Sequence, residues 1–173
     1  MKTFSHPNVN EKVYVDINMM VKSTITISRH EWKYVADVET NLDSDLPPVP
    51  CYPGEFNQVI LNLIVNAAHA IGEVPGSGSE DKGKITISTH YNDDKIEICI
   101  CDTGAGIPEN IRSRLFEPFF TTKEAGKGTG QGLSIAHAVI VKKHNGTITF
   151  DSEIGKGTKF IIRLPLSDQT ALN

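Results

Sequence analysis

Phe56, Val59, Ile60, Leu63, Ile64, Ala67 and Ile71 recur at helical spacing, which predicts a long amphipathic helix from about Gly54 to Ile71. Two polar amides, Asn62 and Asn66, interrupt it four residues apart and so share one stripe, with His69 beside them. Further on the period changes from helical to two. KITISTHY (84–91) and KIEICICD (95–102) alternate as strands, and Asn92–Asp94 reads as a hairpin turn between them. Ile96, Ile98, Ile100 and Asp102 fall on one face of the second strand, so the face that packs against helices ends in a carboxylate.

The remaining chain reads as alternating short elements. VYVDIN (13–18) predicts a strand, followed by a helix around 18–29. KYVADVETNL (33–42) predicts a second strand that ends in the turn region DSDLPPVP (43–50). Residues 72–83 read as a surface loop, and Pro108 opens a short helix to about Leu115. A glycine- and threonine-rich stretch fills 117–130. A second long helix covers 131–143, closed by Lys142, Lys143 and Gly146, and TITFDSEIG with TKFIIRLPL forms a terminal hairpin. Hairpin-paired strands with long helices between them predict helices on one face of a mixed sheet. Residues 1–12 read as a linker remnant, 13–166 as one domain and 167–173 as a tail.

Composition narrows this little: 39% hydrophobic and 22% charged residues are ordinary for a soluble globular chain. A net charge of −4 gives no basic field, which argues against nucleic acid as a partner. No apolar run is long enough for a transmembrane segment, and no secretory signal opens the chain. Three cysteines without a framework (Cys51, Cys99, Cys101) fit a reducing cytoplasmic setting; Cys99 and Cys101 share a strand face and read as buried thiols.

The candidate chemistry lies in five separated blocks. Asn62 and Asn66 offer amide oxygens, which suit a hard cation such as Mg²⁺. DTGAGIP (102–108) places Asp102 where it can accept from an exocyclic amine, with Gly104 and Gly106 for close backbone approach or positive φ. FEPFFTTK (116–123) carries Phe119, Phe120 and Lys123, the last a candidate phosphate clamp. GKGTGQGL (126–133) alternates Gly126, Gly128, Gly130 and Gly132 just before a helix start, where free N–H groups attract phosphate. GKGT (155–158) precedes the last strand. Other phosphate motifs fail: GSEDKGKI (78–85) ends in Ile85 where a P-loop needs Ser or Thr, and no G-x-G-x-x-G, H-R-D or D-F-G occurs.

In this order the blocks resemble the ATP-binding catalytic domain of bacterial sensor histidine kinases, within the gyrase–Hsp90–histidine kinase–MutL superfamily, over about residues 13–166. The resemblance implies the Bergerat fold, an α/β (α+β) two-layer sandwich whose mixed sheet carries helices on one face, with ATP beneath a flexible lid. It implies Asn66 as the Mg²⁺ ligand with Asn62 in support, and Asp102 as reader of the adenine amine. It places Gly104, Gly106, Phe119, Phe120, Gly128, Gly130, Gly132, Leu133 and Thr158 around ATP. Asn62, Asn66, His69 and Lys123 are the implied catalytic set, with Lys123 reaching the γ-phosphate from the lid. Two positions depart: His69 stands where many relatives have Lys, and Gln131 where Leu is frequent.

The resemblance further implies a histidine acceptor in a helical segment reading H-E-x-x-N-P. None of the six histidines has that context, so the dimerisation and acceptor-histidine helices are expected upstream, outside this sequence. A response regulator receiver domain is the implied next partner. The expected location is cytoplasmic, or the cytoplasmic part of a membrane-bound sensor. An ATP-gated conformational module of the MutL, gyrase or Hsp90 ATPase type is the alternative. Those ATPases usually carry a glutamate one turn before the magnesium asparagine; here Asn62 holds that place, and an amide is no general base.

Overall fold

The computed structural model describes residues 11–76, 81–118 and 132–166. Phe119, Phe120, Lys123, Gly128, Gly130 and Gln131, and with them most of the expected lid, lie outside the described residues. Strands β1 (Val13–Val15) and β3 (Val49–Cys51) form a small antiparallel pair. Strands β2 (Ala36–Asn41), β4 (Gly83–Asn92), β5 (Lys95–Asp102), β6 (Thr147–Glu153) and β7 (Gly157–Pro165) form a sheet in the order β2-β4-β5-β7-β6. The β2–β4 pairing is parallel and the others are antiparallel, giving the mixed sheet expected.

Helices α1 (Ile17–Ile27), α2 (Arg29–Trp32), α3 (Pro53–Gly72) and α4 (Gly132–Ala138) complete the described architecture with a 3₁₀ turn over Glu109–Arg114. Asp16 caps α1, its carboxylate accepting from the Met19 N–H at 3.1 Å. Pro53 opens α3 at a position where a missing N–H costs nothing. The apolar stripe of α3 is fully inside and meets β4, β5 and β7. Facing it are Ile85 and Ile87 of β4, Ile96, Ile98 and Ile100 of β5, and Phe160, Ile162 and Leu164 of β7, all buried. The strand alternation therefore points where its period required. Cys99 is buried on the opposite face and Cys101 beside it is half-buried; burial pushes both thiols up.

Three local features differ from expectation. Residues 49–51, within and just beyond the predicted turn region, pair with β1 as a strand despite Pro50, because a two-stranded ribbon leaves one side of each strand without a ladder to break. Helical structure runs on to Trp32, whose indole N–H donates to the Ile25 carbonyl at 3.2 Å, so β2 starts only at Ala36. Within the helix predicted over 131–143, Gly132–Ala138 is α-helical and Val139–Lys143 is a π-turn.

His144 accounts for the end of that turn. It is 2% exposed, its Nδ1 lies 2.8 Å from the Val139 carbonyl, and its Nε2 accepts from the Tyr52 N–H at 3.0 Å. A neutral ring with its proton on Nδ1 satisfies both bonds and ties the end of the α4 segment to the start of α3. Burial holds its pKa low, with Lys12, Glu55 and Lys143 the charged neighbours. Because the folded pKa lies below the unfolded value of about 6.5, this contribution is present above that pH and is lost as pH falls through the folded value. His144→Gln is expected to cost about 1–3 kcal/mol at pH 8. In urea unfolding, the gap between wild type and variant should narrow at pH 5.

Candidate functional site

The interior row nearest the sheet end runs Ile85, Asp102, Thr158, Ser152 across β4, β5, β7 and β6. Three polar side chains thus succeed an apolar row of Ile87, Ile100, Phe160 and Phe150. Asp102 is 7% exposed and Thr158 5%. Asp102 Oδ1 accepts from the Gly104 N–H at 2.8 Å and the Thr158 N–H at 3.3 Å. Among the described residues Oδ2 takes no hydrogen bond. Burial raises the Asp102 pKa to about 6, against the lowering pull of those two amides. A desolvated carboxylate with one oxygen held and one open is a strong acceptor for a ligand N–H.

The loop after Asp102 is wedged between α3 and the β6–β7 hairpin. The Ala105 N–H donates to the Ala70 carbonyl at 3.1 Å, and the Gly155 N–H to the Ala105 carbonyl at 2.9 Å. Gly104 approaches Ala70 so closely that a Cβ would lie 2.6 Å from its carbonyl carbon. Gly106 has φ +84 and would place a Cβ 2.5 Å from the Glu153 carbonyl oxygen. Both glycines therefore serve the docking of the loop on protein backbone.

Asn62 and Asn66 lie one turn apart on α3, and Asn62 meets the start of α4. Asn62 Oδ1 accepts from Gln58 Nε2 at 2.9 Å, and its Nδ2 donates to the Gly132 carbonyl at 3.4 Å. Asn62 thus fastens α4 to α3. Half-buried Asn66 has no side-chain hydrogen bond among the described residues, which leaves its amide oxygen open to a ligand. That donor fits a hard divalent cation sharing its shell with waters and phosphate. His69 is half-buried on the same helix, and Leu133 packs against the core. Among the described residues no cluster of three His, Cys, Asp or Glu groups suits a metal, so any cation here depends on a ligand's own oxygens.

A hollow of about 300 Å³ at this end lies mostly on the outer face of the sheet, lined by Cys101, Asp151, Glu153 and Lys159 with Asp102, Ser152 and Thr158 beside them. A wider one of about 530 Å³ lies against β2, lined by Arg29, Trp32, Lys33, Tyr34, Asp37 and Lys82. No buried polar group lines that second cleft; the candidate site is the helix-facing side of Asp102 and Thr158, where buried polar groups meet.

Residues 52–168 match the model of the family described as histidine kinase-, DNA gyrase B- and HSP90-like ATPases. The chain belongs to this ATPase family. Sensor kinase CckA of Brucella abortus is 44% identical over 146 residues, covering 75% of this chain and 14% of that protein. Signal transduction histidine-protein kinase AtoS of Escherichia coli is 33% identical over 168 residues, 96% of this chain and 26% of that protein. The catalytic domain of histidine kinase ThkA superposes with TM-score 0.76 at 29% identity, covering 90% of this chain and 96% of that structure. This member of the ATPase family thus corresponds to one catalytic domain and spans about a quarter or less of those two sensor kinases. Its α/β architecture is the one expected, and no described helix is long and apolar enough to cross a membrane.

The structure gathers Asp102, Gly104, Gly106 and Thr158 at the sheet end and brings Asn62 to Gly132 between α3 and α4, with Asn66 one turn further along α3 and Leu133 packed on the core. Sequence reasoning missed Ser152 and Arg112. Arg112 donates from Nε to the Ile107 carbonyl at 3.1 Å and from Nη2 to the Ser152 carbonyl at 2.8 Å, clasping loop to hairpin. Neither sits in a motif; only the period-two placement of Ser152 opposite Thr158 in a predicted hairpin could have flagged it.

Proposed function

We propose that this chain binds Mg·ATP and donates the γ-phosphate to a histidine on a separate helical dimerisation domain, for relay to a response regulator receiver domain in the cytoplasm. The observation that carries the reading is Asp102, buried at a strand end with one oxygen held by two backbone amides and the other open to the adenine amine. Thr158 borders the same purine, and Asn66 would hold Mg²⁺, which neutralises phosphate charge when bound. The N-terminal end of α4, with Gly132 and Leu133, lies on the triphosphate side, and Lys123 is assigned to the γ-phosphate. Kinship with sensor kinases supports the histidine acceptor. We take the domain to run over 13–166.

Phosphoryl transfer asks mainly for positioning and charge neutralisation. Asn62 is engaged with Gln58 and Gly132 and has no basic lone pair for water. Purified chain supplied with Mg·ATP is therefore expected to bind nucleotide and release almost no phosphate. Asn62→Glu should raise that release, as read by a phosphate-release assay. The deciding experiment mixes the chain with a separately prepared acceptor-helix domain and γ-labelled ATP. Label on the acceptor histidine is expected, and its absence with folded, nucleotide-bound protein would refute the transferase reading.

A further inference from the structure

Strand β2 stands at one end of the sheet order and is paired on one side only, in parallel with β4. The Gly83 N–H donates to the Val35 carbonyl at 2.8 Å, so by ladder alternation Val35, Asp37, Glu39 and Asn41 turn their backbone toward β4. Ala36, Val38 and Thr40 therefore turn their N–H and C=O groups outward, where among the described residues no backbone meets them. The cleft of about 530 Å³ lies against this edge, and its lining is unbalanced in charge. Arg29, Lys33 and Lys82 share it with one carboxylate, Asp37, and among the described residues none of the three cations is ion-paired. In a chain of net charge −4 this is a local excess of positive charge. Two of the cations are also held in place. Lys82 Nζ donates to the Lys33 carbonyl at 2.8 Å, and Lys33 Nζ lies 4.9 Å from the centre of the Tyr34 ring. Trp32, its indole anchored to the Ile25 carbonyl, supplies a fixed aromatic wall.

We propose that this edge is a docking site for an extended acidic segment of a partner protein, which joins the sheet beside β2 as a further strand. The outward N–H and C=O groups of Ala36, Val38 and Thr40 supply main-chain hydrogen bonds, which hold any extended chain. The side chains around them select its charge. Ala36 and Val38 stand in register with Gly83 and Ile85, on the side of the sheet that carries the helices. Every second side chain of an added strand points to that side, toward Arg29 at the start of α2 and Lys33 at its end. Carboxylates fit there. The intervening side chains pass Asp37 and Glu39, the latter paired with Lys84 at 3.3 Å, so they are uncharged. The segment recognised is thus acidic at alternate positions, not acidic throughout. A second copy of this chain is the poorer occupant, because antiparallel pairing centred on Val38 sets Asp37 of each copy opposite Glu39 of the other. Strand β4 separates this edge from β5 and Asp102, so docking here is read independently of nucleotide binding.

Trp32 is the chain's single tryptophan, so its emission reports on this cleft directly. The test titrates the whole chain with a peptide of about ten residues, long enough to span the strand, in which Glu alternates with Thr. A saturable change in Trp32 emission is expected. Replacing every Glu of the peptide by Gln should weaken binding about tenfold, since exposed charge pairs each contribute little but add. N-methylation of the peptide's alternate amides, one set at a time, should abolish binding for the set that bonds β2 and spare it for the other. The double variant Arg29→Glu with Lys33→Glu should weaken the Glu peptide about tenfold as well, while ATP binding stays unchanged. Equal binding of the Glu and Gln peptides overturns the proposal. So does undiminished binding of both N-methylated sets, which marks a site that reads charge without a strand. Self-association of the chain in sedimentation, lost in the double variant, assigns the edge to a second copy and overturns it too. Unchanged Trp32 emission with the Glu peptide, together with no heat in calorimetry, overturns it without any variant.

Discussion

Asp102→Asn is expected to stabilise the nucleotide-free protein at pH 8 while sharply weakening its affinity for ATP. The Asn oxygen can keep both backbone amides that now bind Asp102 Oδ1, so the turn to Gly104 and the register with Thr158 survive. What disappears is a buried charge. The carboxyl's pKa rises from 3.8 to about 6 on folding. A raised folded pKa means that the folded state binds the proton more tightly, so its advantage is complete at low pH and is lost as pH rises through about 6. At pH 8 the ionised group therefore costs the fold about 3 kcal/mol at most, at roughly 1.4 kcal/mol per pKa unit. Replacing it by a neutral isostere should recover about 1–3 kcal/mol in urea unfolding.

Binding should move the opposite way. The new Nδ2 group faces the adenine amine donor to donor, and a charge-assisted bond worth about 1.5–3 kcal/mol is lost, so ATP affinity should fall about 100-fold or more. Inosine triphosphate, whose O6 accepts, should gain relative to ATP. Wild type itself should bind ATP more weakly as pH drops through about 6, and the variant should not show that dependence. Retained ATP affinity in a folded Asp102→Asn protein would remove this residue from the site. An unchanged unfolding free energy would remove the electrostatic account.

Asn66→Ala is expected to leave nucleotide affinity in EDTA nearly unchanged and to reduce Mg²⁺-dependent phosphorylation of the acceptor histidine about 100-fold or more. The amide makes no hydrogen bond among the described residues, so truncation breaks no structural contact and the fold should melt normally. A bound cation supplies several kcal/mol of charge stabilisation to a transferring phosphoryl group, and each 1.4 kcal/mol is a factor of ten in rate. The neighbouring Asn62→Ala makes the contrast: it loosens α4 from α3 and should lower stability as well as activity. Equal Mg²⁺ dependence in wild type and Asn66→Ala would reassign the metal site.

Much of this arrangement is local, and local order is what sequence records. The α3 stripe is set by a 3.6-residue period and the β5 face by a period of two, so Asn62, Asn66 and Asp102 were placeable before any contact was known. The β4–β5 turn is likewise local: Asp93 and Asp94 adopt φ 50 and 62, a left-handed pair that short polar residues tolerate.

What no period encodes is the docking of distant backbones. The strand at 13–15 was legible, but its partner β3 at 49–51 is too brief to carry a pattern. His144 reaches Tyr52 across 92 positions, and Ser152 reaches the Ile107 N–H across 45. Such bonds form because a buried N–H or carbonyl must find some partner, and which partner depends on where the packed layers leave it. The sequence thus determined the long elements, their inward faces and the carboxylate at the strand end. Only the tertiary structure decided that a serine outside every motif would hydrogen-bond the threonine beside that carboxylate, since side-chain hydrogen bonds across strands follow register, and register is a property of the assembled sheet.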